Sequence, residues 1–268
     1  MQIGISRVNN SHSLESVEKF LDLNPGELIQ YYEELRNDYQ FLKDLSDSIT
    51  IHRNFKSEVP GLFERVPINN VDWFGFQRIL LYCLVRKLKP EIVVETGVYY
   101  GGNSSFILAG LAKNDFGKLI AIDYPQSKME NLSIKSRHPW VGDSEIYSER
   151  YTPGFMIPQN LLYRLELIIS DSLSALPTIN EKIDFFIHDS EHTLKHVLAE
   201  MGLVWQKLSN KGILVVDDID WSNGFFKFVV DYQLYPLLLT DNGKDDLRVR
   251  TGLILKEHRY NSSAYINM

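Results

Sequence analysis

Five short runs of mostly β-branched, leucine and aromatic residues recur along the middle of this chain: Ile92-Val93-Val94, Leu119-Ile120-Ala121-Ile122, Leu167-Ile168-Ile169, Ile183-Asp184-Phe185-Phe186-Ile187 and Ile213-Leu214-Val215-Val216. Stretches of helical pattern separate them. Nearly continuous apolar strands alternating with helices mark a sheet that is covered on both faces. The pattern therefore predicts an α/β fold with a doubly wound, mostly parallel sheet. The end of the chain departs from it. Tyr235-Pro236-Leu237-Leu238-Leu239 and Arg248-Val249-Arg250-Thr251-Gly252-Leu253-Ile254-Leu255 are joined by too short a link for a crossover helix. An antiparallel hairpin is expected there, bringing the sheet to seven strands.

With 268 residues, the chain has room for one such domain and an appendage. Residues 1–70 are read as a helical extension and 71–268 as the main domain. Asn24-Pro25-Gly26-Glu27 offers a capping Asn, a helix-starting proline and an acid in the first turn. One helix of about five turns is expected to follow, with Leu28, Tyr32, Leu35, Tyr39 and Leu42 on a single stripe. That stripe needs a partner, either the chain's own domain, a second copy in a homodimer, or the acceptor it covers. Residues 73–88 read as a second, strongly apolar helix closed by Lys89-Pro90, and Cys83 within it reads as a small buried hydrophobe.

Lys and Arg total 28 against 35 Asp and Glu, a net charge of −7, so no global basic field draws in phosphate backbones and nucleic acid is not the expected partner. The first residues lack the long apolar core of a signal peptide, and no run approaches the ~18 apolar residues of a membrane span. A cytoplasmic, membrane-free protein is expected.

The candidate chemistry lies at the strand ends. Gly97, Gly101 and Gly102 follow the first strand, and a helix starting near Gly102 or Asn103 would present its free amides there. The glycine spacing is not that of a nicotinamide fingerprint. Glu95 discriminates further, since a carboxylate beside the turn repels a pyrophosphate but pairs with a cationic amino-acid group. Asp123 ends the next strand, where an acid in such sheets accepts ribose hydroxyls. Asp171-Ser172 ends the third, either to meet an adenine amine or simply to cap a helix.

Taken together, Glu95-x-Gly97-x-Tyr99-x-Gly101, Asp123, Asp171-Ser172, Asp189-x-x-His192 and Asp217-Asp218 resemble the class I S-adenosylmethionine-dependent methyltransferases. Order and spacing are most similar to the catechol-type and the macrolide and aminocoumarin sugar O-methyltransferases. The resemblance spans residues 71–258. It implies a cofactor site of Glu95, Gly97, Tyr99, Gly101, Asn103, Ser104, Asp123, Asp171, Ser172 and Asp189, and a small-molecule hydroxyl as methyl acceptor. It also implies a Mg²⁺ site at Asp189, Asp217 and Asp218, where coordination would lower a hydroxyl's pKa. The catechol-type enzymes carry Asn where this chain has Asp218, and Asp217-Asp218-Ile219-Asp220 is otherwise a solvated acidic loop.

Two residues compete as base. His192 stands where the catechol-type enzymes have Lys, and Glu191 where the sugar-type enzymes use a carboxylate. His188 reads as structural. The long segment 125–162, with Trp140, Tyr147, Tyr151, Phe155 and Met156, and the loop Trp221-Ser222-Asn223-Gly224 are expected to border the acceptor. An NAD-dependent oxidoreductase and a non-catalytic methyltransferase-like scaffold are the competing readings.

Overall fold

A computed structural model describes residues 10–51, 70–124, 153–240 and 249–257. Its helices are α1 (Asn10–Phe20), α2 (Glu27–Arg36), α3 (Tyr39–Ile51), α4 (Phe76–Leu88), α5 (Gly102–Asn114), α6 (Ser172–Ala175), α7 (Leu194–Lys207) and α8 (Gly224–Asp231). The strands are β1 (Ile92–Thr96), β2 (Lys118–Asp123), β3 (Leu165–Ile169), β4 (Ile183–His188), β5 (Leu208–Val216), β6 (Leu237–Thr240) and β7 (Val249–Leu255). They form one sheet in the order β3-β2-β1-β4-β5-β7-β6. The first five run parallel, and β7 pairs antiparallel with both β5 and β6. All five central strands and the terminal hairpin lie where the sequence pattern expects them.

The two-residue period of each strand sorts the core into two layers. Val93, Leu119, Phe185, Ile187 and Val215 face the side covered by α2, α4 and α5. Val94, Ile120, Phe186, Leu214 and Val216 face α7 and α8. β1 pairs with both β2 and β4, so the chain winds outward from it in both directions. A crevice opens at the carboxyl ends of strands at such a switch point. Register keeps those ends level: Thr96 is opposite Ile122 on one side and His188 on the other, and His188 is opposite Val216.

The N-terminal helices differ from the single long helix expected. α2 ends at Arg36 and α3 starts at Tyr39, with Asn37 bonding back to Glu33 through both its backbone and its side chain. The stripe is interrupted accordingly. Leu28, Tyr32, Leu35 and Leu42 are buried, but Tyr39 is 64% exposed. Asn24 does not cap α2 either, because its side chain donates to Glu27 Oε1 at 2.7 Å. The cap comes from α1, where Glu18 accepts from the backbone N–H of Gly26 at 2.9 Å and of Leu28 at 2.6 Å. A distant carboxylate thus satisfies amides that a local side chain usually takes.

The buried residues of these helices share one apolar cluster with Ile79 and Leu80 of α4 and Phe106 of α5. Arg86 on α4 grips Glu34 on α2 with two nitrogens, at 2.7 and 2.9 Å, and Tyr82 also donates to Glu34. The other expected helix, 73–88, is broken as well. Residues 71–74 form a 3₁₀ turn capped by the Asn70 side chain, and Gly75, at φ 88°, separates it from α4. Cys83 is fully buried, and burial pushes its thiol well up. Among the described residues no helix is long and apolar enough to cross a membrane.

Candidate active site

The turn from β1 to α5 is built of residues with positive φ: Gly97 at 84°, Tyr99 at 52° and Gly101 at 97°. For a non-glycine residue such as Tyr99 that conformation is uncommon. Asp123 at the end of β2 supports it by accepting from the N–H of Val98 at 2.8 Å and of Tyr99 at 2.6 Å, both through Oδ2. Burial raises the Asp123 carboxyl, and those backbone donors pull it partly back. Gly97 is fixed by more than its φ. A Cβ there would stand 1.9 Å from the carbonyl oxygen of Asp189, so only glycine lets the turn after β1 close on the loop after β4.

Glu95 is completely buried. Its Oε2 accepts from the Ser104 hydroxyl on α5, while Oε1 is buried without a hydrogen-bond partner. Desolvation is the main cause that pushes its carboxyl up to about 8, only partly offset by the Ser104 hydrogen bond. A buried acceptor left unpaired carries a large penalty that a cationic donor from a ligand would relieve.

The loop after β4 presents Asp189, Glu191 and His192. Asp189 accepts from Asn103 Nδ2 at 2.9 Å, and His192 Nε2 lies 3.9 Å from its other oxygen. Its carboxyl stands well above the ordinary range, because of burial first and then the charges of Asp217, Glu95 and Asp218. Burial and the neighbouring Asp218 push Asp217 up to about 6. With its amide nitrogen turned inward, Gln77 donates to both oxygens of Asp217 at 3.0 and 3.1 Å. The ring of His192 packs edge-on between those of His188 and Trp221, at centroid distances of 5.4 and 5.2 Å. Glu191 is directed elsewhere, accepting from Thr193 at 2.7 Å with His196 3.8 Å away.

Asp218 is engaged by Arg250 of β7, whose Nε donates to it at 2.9 Å. Among the described residues no group of three or more His, Cys, Asp or Glu side chains is placed to hold a metal ion. The three-aspartate set expected from sequence is not such a group here, and Asp218 is paired with Arg250. Asp189 and Asp217 remain as a repelling pair of hard oxygen donors at adjacent strand ends. Beside Asp217 lies a cavity of about 170 Å³, lined among others by Gln77, Arg78, Thr240, Arg250 and Thr251.

Asp171 takes the cap alternative, accepting from the N–H of Ser174 at 3.0 Å and its hydroxyl at 2.9 Å. The hydroxyl of Ser172 points instead to His196, at 3.2 Å. His196 belongs to a cluster that the sequence reading missed, centred on the fully buried Glu200 of α7. Glu200 accepts from Thr96 at 2.8 Å and Ser190 at 3.1 Å, lies 3.2 Å from His196 Nε2, and bonds His188 Nδ1. Burial alone would raise Glu200, but the charge and hydrogen bond of His188, helped by His196, hold it well below the carboxylate range. Burial lowers His196, yet the bond and charge of Glu200 prevail and raise it. One carboxylate thus ties the ends of β1 and β4, the loop after β4, and α7. Of the aromatic segment 125–162, Trp140, Tyr147 and Tyr151 lie outside the described residues, while Met156 is buried and Phe155 packs on the core.

A family model described as a methyltransferase domain matches residues 94–219. No curated protein sequence matches the chain. Among solved structures, the chain is similar to an O-methyltransferase of Streptomyces achromogenes involved in tomaymycin synthesis, in complex with S-adenosylmethionine. That pair is 17% identical over 79% of this chain and 88% of the other, with a TM-score of 0.49. It is also similar to an O-methyltransferase of Bacillus cereus in complex with S-adenosylhomocysteine, at 14% identity over 80% and 89% of the two chains and a TM-score of 0.49. A methyltransferase of Podospora anserina bound to S-adenosylhomocysteine is 13% identical over 93% of this chain and 96% of that one, with a TM-score of 0.46. The match to a methyltransferase domain thus runs from inside β1 to the loop after β5, across the strands of a sheet in the order 3-2-1-4-5-7-6.

Proposed function

We propose that this protein transfers the methyl group of S-adenosylmethionine to a hydroxyl oxygen of a small-molecule acceptor, a sugar or another natural product. The observation that carries the cofactor half is the unpartnered Oε1 of Glu95, buried beside the glycine turn one strand from Asp123. An ammonium group answers the first carboxylate and a ribose diol the second. A dinucleotide pyrophosphate offers no donor to that unpartnered oxygen, which disfavours the oxidoreductase reading.

When bound, the cofactor supplies an electrophilic methyl on a sulfonium. The chain's own residues bind, align and deprotonate. Asp123 and Glu95 fix the two ends of the cofactor over the turn, and alignment of acceptor and methyl supplies much of the rate in such a transfer. His192 is the base favoured over Glu191, because it stands 3.9 Å from Asp189 at the crevice while Glu191 turns to Thr193 and His196. It would take the hydroxyl proton as the methyl moves. A divalent cation fits the oxygen pair of Asp189 and Asp217, with Asp218 joining only on release from Arg250. Such an ion would lower the acceptor's hydroxyl pKa.

Incubation with labelled S-adenosylmethionine, Mg²⁺ and fractionated small-molecule extracts tests the reading. Label should enter a small molecule, fall with a chelator, and fall roughly a hundredfold or more with His192→Ala. Cofactor binding with no methylated product would turn the protein into a binding scaffold. Full activity in chelator would remove the metal.

A further inference from the structure

A zwitterion has two poles, and Glu95 answers only one. Near it, two nitrogens of Arg78 are anchored: Nη1 donates to the carbonyl of Phe74 at 2.6 Å and Nη2 to the hydroxyl of Tyr100 at 3.0 Å. Its Nε is buried and has no hydrogen-bond partner. No carboxylate among the described residues forms an ion pair with it, although its charge draws down the carboxyls of Glu95, Asp189 and Asp217. An arginine is thus fixed in place among acids, with one N–H left without an acceptor.

Its location is specific. A Cβ at Gly102 would lie 2.9 Å from Arg78 Nε and 3.0 Å from Nη2. The Nε and Nη2 side of the guanidinium therefore lies close to the first residue of α5, where glycine leaves it room. Helix geometry leaves the first-turn amides of α5 without intrahelical acceptors, and they favour negative charge at the same point. The first turn of α5 thus lies between a buried, unpartnered carboxylate oxygen and a buried, unpartnered guanidinium N–H.

We propose that Arg78 binds the carboxylate of the cofactor's amino-acid moiety, so that Glu95 and Arg78 hold the two poles of that zwitterion. The inference rests on the cofactor reading above. The Nε and Nη2 edge is the fork that a carboxylate engages with two parallel hydrogen bonds, stronger than neutral ones and fixed in direction. Phe74 and Tyr100 hold the guanidinium so that little freedom is lost on binding. Lysine, a point charge on a flexible stem, would not reproduce that geometry. Arg78 also borders the cavity beside Asp217, so the opposing assignment is an acidic acceptor.

Calorimetry separates these with two probes, S-adenosylhomocysteine and its decarboxylated analogue, which keeps the amine. The unaltered protein should bind the complete molecule at least tenfold more tightly. Arg78→Met should bring the two affinities together while changing the analogue's affinity less than about twofold, and Arg78→Lys should recover part of the ratio. Glu95→Gln should weaken both probes alike, since both carry the amine. If Arg78→Met weakens both probes equally, the residue only props the glycine turn, and if it changes neither, it serves the acceptor cavity. Either outcome overturns the proposal. Should Arg78→Met not fold, an undiminished ratio in Arg78→Lys overturns it equally. Failure of the unaltered protein to bind S-adenosylhomocysteine at all would instead overturn the cofactor reading beneath it.

Discussion

Cofactor binding should release a proton from Glu95. In the ligand-free protein its carboxyl titrates near 8, against an ordinary value of 4.5, because burial disfavours the charged form. At pH 7 about nine chains in ten then carry it protonated. Pairing with the cofactor's ammonium requires the ionised form, so S-adenosylhomocysteine should expel about 0.9 proton from this group at pH 7. The dissociation constant should fall about tenfold per pH unit up to 8 and level off above it. Stability has the opposite sign. The folded protein keeps a proton that the unfolded chain loses, so this contribution is fully present below pH 4.5 and fades as pH rises through 8. Its full size is on the order of 5 kcal/mol, from 3.5 pH units at about 1.4 kcal/mol each. Asp123, Asp189 and Asp217 are raised as well and share that sign. Calorimetric titrations in buffers of different ionisation enthalpy count the protons, and the difference between the unaltered protein and Glu95→Gln isolates this one. Equal proton counts and equal pH slopes in the two would refute the assignment of Glu95 as the ammonium's partner.

Three further outcomes are expected. Asp123→Ala should weaken S-adenosylhomocysteine on the order of tenfold or more in calorimetry, through loss of charge-assisted hydrogen bonds to the ribose and of support for the turn. Unchanged affinity would remove it from the cofactor site. Gly97→Ala places a methyl 1.9 Å from the Asp189 carbonyl in a positive-φ turn, so it should abolish cofactor binding while far-ultraviolet dichroism stays near native. Glu34→Ala leaves Arg86 and Tyr82 without their shared acceptor, and should cost about 2 kcal/mol by denaturant unfolding, the pair's partial exposure keeping it below the loss of a fully buried one.

The sheet was legible because burial on both faces writes itself into short, continuous apolar runs, and the glycine turn because its backbone demands are met by few residue types. The N-terminal helices were misread where backbone events carry little sequence signature. The break at Asn37 lies inside an unbroken apolar stripe, and the cap on α2 comes from Glu18, eight residues before Gly26. Asp189, Asp217 and His192 do gather at neighbouring strand ends, as their positions suggested. The engagement of Asp218 by Arg250 depends on how β7 lies against β5, which local pattern does not encode. Glu200 did carry a signal. It sits with Val197, Met201 and Val204 on the buried stripe of α7, where an acid must find donors. Arg78, on an otherwise apolar helix face, offered the same clue.

The position of Glu200 also bears on how such a protein can change its acceptor over time. Its carboxylate braces β1, β4 and α7 through Thr96, His188 and Ser190, beneath the loop that carries Asp189 and His192. The wall beside the cavity includes Gln77, which holds Asp217, together with Thr240 and Thr251 of the hairpin strands. Under the proposed methyl transfer, a change on the hairpin side of that wall would reshape the cavity while the Glu200 network keeps its hold on the strand ends. Variation in acceptor should therefore concentrate on the hairpin strands near Thr240 and Thr251, with Gln77, Arg78, Thr96, Ser190 and Glu200 left as they are.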